Sequence, residues 1–182
     1  QKNASFILEN DLPIFLHYCD SSNKFVQFDS LKLTRSIVPY FTSEFLSLNI
    51  LELGNLFQEI DFKSSKEIFL IFCSLIFYLP DNYLVSDYQV VSQLIYFVVQ
   101  NINFDDESSI AALQSLIRIK EEFSKRNKKQ DFDQIFDDAN QNESFDELRD
   151  NRSDKILDLI EAFDEIWFFE AREKKRYFLF IK

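Results

Sequence analysis

The chain has 182 residues, 46% of them hydrophobic, with 22 phenylalanines but only one glycine and three prolines. Its formal charge of -11, from 20 Lys and Arg against 31 Asp and Glu, opposes binding to duplex nucleic acid or to an anionic membrane, both of which need clustered cations. With Gly54 alone to supply positive φ cheaply, hairpins and phosphate-cradling loops are disfavoured, and an all-α fold is expected over a sandwich, barrel or doubly wound sheet.

Residues 1–41 admit two readings. "LPIFLHYC" suits a short helix with Pro13 near its start. "KFVQFDSLKL" alternates well enough for a short strand, while Leu31, Leu33, Ile37 and Val38 fit a helix leading to Pro39; apolar runs this short do not separate the two. From residue 42 the helical period strengthens. Ser43 is a cap candidate for a helix reaching Ile60, whose apolar residues wrap more than half the cylinder. After a break at 61–64, with Ser64 or Ser65 as cap, "IFLIFCSLIFYL" reads as a helix buried nearly all round and stopped by Pro80. Those twelve residues reach about 18 Å, short of a ~30 Å hydrocarbon core, so no transmembrane segment is expected. Further helices are predicted over 86–101 and 108–127, the last ending in polar turns that project into solvent.

An internal echo links these helices. "LFQEIDFKSSKEI" at 56–68 aligns with "VVQNINFDDESSI" at 98–110 at an offset of 42, pairing Phe62 with Phe104. Each window spans a helix end, a turn and the next helix start, with the turn Phe placed to plug the junction. In period and helix pairing, residues 43–127 resemble the armadillo and HEAT class of helical repeats. The resemblance implies a short stack of antiparallel helical hairpins that bury one another's apolar faces. An irregular helical bundle is the alternative. The expected organisation is a helical hairpin array over 1–130, an acidic connector with short helical turns over 131–152, and a C-terminal helix with a basic-aromatic tail over 153–182.

The connector carries the charge. Residues 131–165 hold thirteen Asp or Glu and three Lys or Arg. "DDANQNESFDEL" resembles a calcium loop, but a loop starting at Asp138 places Glu143 where a Gly should turn the chain and Arg149 where a bidentate Glu is required. "FDQI", "FDEL" and "FDEI" recur at 132, 145 and 163, each setting an apolar edge on one helical turn. The first two read as weakly anchored turns. Ser153 then caps a helix whose apolar side holds Ile156, Leu157, Leu159, Ile160, Phe163, Ile166 and Trp167. Basic clusters at 118–130 and 172–182 flank the block and either fold back on it or leave it free to meet a partner.

No catalytic, cofactor-binding or metal residue is assigned. His17 and Cys19 fall on different faces of a helix, and their spacing with Cys73 matches no zinc pattern. The carboxylate pairs Glu161–Glu165 and Asp154–Asp158 lie in the most polar stretch. Cys19 and Cys73 read as buried free thiols of an intracellular protein, cytoplasmic or nuclear, with a disulfide and a cleaved signal left open. Gln1 is no natural start, so a fragment or processed product is expected. The expected function is a non-catalytic interaction scaffold or adaptor, with a place as a subunit of a larger assembly left open. It would bind a basic surface or amphipathic helix of another protein through a helical groove and an acidic rim. The partner-binding residues would be Asp131, Asp133, Asp137, Asp138, Asp146, Glu147, Trp167, Tyr177, Phe178 and Phe180. The alternatives are a small acidic inhibitor, immunity-like, that occludes a cationic active site, and a hydrolase of unrecognised type. Cations beside the C-terminal aromatics also suit single-stranded nucleic acid, against the overall charge.

Overall fold

A computed structural model describes residues 2–81, 83, 87–150 and 153–166, and the side chains of those from residue 11 onward. Every regular element among them is helical. In chain order these are α1 (Lys2–Cys19), α2 (Lys24–Ser47), α3 (Leu53–Leu56), α4 (Phe62–Phe77), α5 (Tyr88–Gln100), α6 (Asp106–Lys125), α7 (Lys129–Ala139) and α8 (154–166), with 3₁₀ turns at Ile50–Glu52 and Asp146–Arg149.

The strand reading of 24–33 is excluded. Asn23 accepts hydrogen bonds from the Phe25 and Val26 amides and starts α2 there. The helix then passes through Pro39, with a kink at Phe41 (φ -137°, ψ 31°). Proline removes one amide and crowds the preceding turn, so a kink close by is its usual result. Thr42 Oγ1 donates to the Val38 carbonyl across the bend at 2.8 Å. Residues 42–47 therefore belong to α2, and Ser43 caps nothing. The expected long helix to Ile60 is broken at Asn49, which takes the left-handed conformation (φ 60°). Its apolar residues are too widely spread for one helix to bury them; the break lets Ile50, Leu53 and Phe57 all turn inward.

The helices form two layers. In one, α2, α4 and α6 lie side by side with α4 in the middle, and α8 docks on α6 through Lys120 and Phe163. In the other, α1 covers α2, the short α3 touches α4, α5 covers α4, and α7 packs on both α5 and α6. Position decides burial: residues 67–73 of the central α4 are buried without interruption, each large apolar side chain contributing roughly 1.5–3 kcal/mol.

The echo has a structural counterpart in a different register. Asp61 caps α4 by accepting from the Lys63 and Ser64 amides, and Asp105 caps α6 by accepting from the Ser108 amide. Ser65 Oγ then donates to the Phe57 carbonyl at 2.7 Å, and Ser109 Oγ to the Ile102 carbonyl at 2.6 Å. The shared unit is Asp-x-x-Ser-Ser at an offset of 44, from 61 to 105. The cap is Asp61, one turn earlier than the expected serines. In this register Phe62 and Phe104 are not equivalents. They stack on each other (4.6 Å between centroids, 8° between planes), and Phe62 remains 60% exposed, so it plugs no junction. Lys66 bridges the two helix starts, 3.0 Å from Asp105 and 2.7 Å from Glu107.

The end of α6 is packed, not projecting. Asn127 takes φ 56°, and the amides of Asn127 and Lys128 close on the carbonyls of Ser124 and Phe123. This left-handed stop reverses the chain directly into α7. The acidic segment is likewise more than a solvated connector. Phe132, Ile135, Ala139, Phe145 and Leu148 are all buried, because α7 and the following 3₁₀ turn present one apolar edge to the core and their carboxylates to water.

Candidate functional site

The second layer is uneven. Beside the 18 residues of α1 and the 13 of α5, α3 has four. The gap opens as a cleft of about 660 Å³ between the 49–55 segment, α5 and α7. Its apolar floor is Phe72 of α4 and Phe97 of α5, whose rings lie 3.9 Å apart. Gly54 closes one end of that floor. A Cβ added there would stand 3.4 Å from both rings, which leaves room for a methyl group and little more.

The walls are polar and nearly without formal charge. α5, "YQVVSQLIYFVVQ", has no ionisable side chain other than its tyrosines. It buries Val91, Leu94, Ile95, Val98 and Val99 on one side and turns Tyr88, Ser92, Gln93 and Tyr96 toward the cleft. Tyr88 and Tyr96 are 44% and 53% exposed. Asn49 and Asn55 face them from the 49–55 segment, and Gln134 from α7. Glu52 and Asp138 are the two carboxylates in the lining, and no lysine, arginine, histidine or cysteine joins them among the described residues. The negative potential reaches the phenol of Tyr88: burial first, and then the charges of Asp131 and Asp138, raise its pKa. The same hydroxyl donates to the Asp131 carbonyl at 3.2 Å. A second hollow continues past Gly54 and Tyr96 toward Gln58 and Asn101.

The sequence-expected partner residues divide. Asp138 lines the cleft and Asp137 is exposed beside it. Asp131 pairs with Lys128 at 3.8 Å, and Asp133 is half-buried near Lys120. Asp146 and Glu147 serve the local structure, accepting from Asn140 at 3.0 Å and from Asn103 at 2.9 Å. Trp167, Tyr177, Phe178 and Phe180 lie outside the described residues. Sequence reasoning missed the tyrosines and amides of α5, Gln134, and the 49–55 wall. Its available signal was a thirteen-residue helix without Asp, Glu, Lys or Arg in a chain that is 28% charged.

Elsewhere the two thiols are sequestered. His17 is exposed, whereas Cys19 is fully buried and bonded to Thr34 Oγ1 at 3.4 Å. Burial pushes the Cys19 thiol up to about 11 against the opposing pull of that bond. Cys73 is buried and also raised, and both thiols are free. No group of three metal-ligating side chains occurs among the described residues. In the loop after α7, Asn140 Oδ1 accepts from the Phe145 amide at 2.8 Å, so the residue at the third position of the calcium-like pattern works as a turn. No helix among the described residues is long and apolar enough to cross a membrane.

Comparison of the chain with protein-family models, with curated proteins and with solved structures finds no match.

Proposed function

We propose that the chain is a non-catalytic protein-interaction module, an armadillo- or HEAT-like stack of helical hairpins that seats a segment of a partner protein in the cleft beside α3. The observation that carries this reading is the cleft itself: an aromatic floor for apolar burial, amides and phenols for hydrogen bonding, and an acidic edge. Small concave sites of this composition are the usual seats of ligands. Tyrosine is a strong anchor because it buries a large area at modest rotamer cost.

The repeat reading draws support from the two layers and from the Asp-x-x-Ser-Ser starts of α4 and α6. The exposed carboxylates of α7 continue the acidic edge outward, so a partner with a basic surface would be drawn to this side.

The test is native co-purification with a paired control. The wild-type chain and a Gln93→Ala/Tyr96→Ala variant, both verified as folded by circular dichroism, are used as baits. A partner recovered in stoichiometric amount with the wild type and reduced at least about tenfold with the variant, on the scale of a lost anchor, supports the proposal. Equal recovery with both baits overturns it.

A further inference from the structure

The cleft's groups describe its occupant more closely. Its amides stand on three separate elements, with Asn55 on the α3 side, Gln93 on α5 and Gln134 on α7, while Asn49 donates to Glu52 and fixes that carboxylate. A carboxamide both donates and accepts, and so complements a peptide main chain whose own N–H and C=O groups are unpaired. An extended segment offers such groups at every residue, whereas a helix has already satisfied them internally.

Charge selects a side chain. Glu52 and Asp138 approach the cleft from two different elements, with no cation among the described lining residues, and Tyr88 and Tyr96, a residue type whose ring attracts cations, line it too. We infer that the occupant is an extended peptide segment of a partner protein carrying one lysine or arginine, its cationic head held by Glu52 and Asp138 and its main chain by the cleft amides. This rests on the cleft being the partner site.

The test uses acetylated, amidated nonapeptides with β-branched flanks and a central Arg, the same peptides with a central Gln, and a helix-stapled version of the Arg peptide. Binding is followed through the backbone resonances of Tyr88, Ser92 and Gln93 in the whole isotope-labelled chain. The extended Arg peptide is expected to bind about two- to fivefold tighter than the Gln peptide, the scale of partly exposed charge pairs. Glu52→Gln/Asp138→Asn should bring that ratio close to one. A ratio untouched by that double substitution, tighter binding of the stapled peptide, or no peptide moving these resonances overturns the inference. Loss of the wider proposal needs the separate result that Gln93→Ala/Tyr96→Ala keeps its native partner.

Discussion

Lys120 Nζ lies 3.8 Å from the centroid of the Phe163 ring and donates a 2.7 Å hydrogen bond to the Phe163 carbonyl. One side chain of α6 thus holds both the ring and the backbone of α8. Around it the first residues of all three "FDxI/L" motifs meet: Phe132 and Phe163 at 6.1 Å, Phe145 and Phe163 at 5.1 Å, with Phe136 between them at 5.0 Å from Phe145. The two motifs expected as weakly anchored turns join the third, on α8, in one aromatic cluster.

Burial lowers the Lys120 pKa from 10.5 to about 8, with Asp164 and Asp133 opposing the shift and Lys129 adding to it. A folded-state value below the unfolded one means the unfolded chain binds more protons between the two. Lys120 therefore costs stability below pH 8, and that cost falls away as pH rises toward 10.5. The difference in unfolding free energy between wild type and Lys120→Met should change by on the order of 2 kcal/mol across this window. Urea titrations at pH 7 and pH 10 measure it; a pH-independent difference would contradict the burial of a titrating amine.

Phe163→Ala should cost about 3–5 kcal/mol, because it empties the middle of the cluster. Hydrogen exchange in the variant should speed up first in α8 and in the Asp146–Arg149 turn, and least in α4. Uniform acceleration would show that α8 unfolds only with the rest of the chain.

Asp105 tests the helix caps. Burial pushes its carboxyl up, but the Ser108 amide and Lys66 more than offset this and hold it below the ordinary 3.8. A depressed folded value gives stability that is present above the unfolded pKa and lost as pH falls through the folded one. Asp105→Ala should destabilise by about 1 kcal/mol at pH 7. Asp105→Asn, which keeps the cap acceptor, should cost less and should flatten the loss of stability below about pH 4.

The thiols should be silent in the folded protein. The thiolate is the reactive species, and both Cys19 and Cys73 are buried with raised pKa values. Labelling by a thiol reagent at pH 8 should run roughly a hundredfold slower in the native chain than in denaturant. Rapid labelling of one equivalent would place a cysteine at the surface.

If the acidic side steers a basic partner, raising salt should slow association and leave dissociation nearly unchanged. Neutralising Asp133, Asp137 and Asp138 to Asn should reduce the salt slope of the association rate. Affinity indifferent to both salt and these substitutions would separate binding from the acidic surface.

The sequence alone pointed to an all-α fold, though it left 24–33 open between strand and helix; it located the most buried helix and the limits of α5 and α6 to within about two residues, because Gly scarcity and apolar period are properties of the local chain. It also displayed an uncharged α5 and three FD motifs without revealing their use. Tertiary packing decided the rest. The core needed Phe41 and Phe45, so α2 ran on through Pro39; it needed Ile50, Leu53 and Phe57 together, so a long helix became the stub α3 and the cleft opened beside it. Periodicity says which face of a helix seeks cover, but only the neighbours settle what covers it and where the cover falls short.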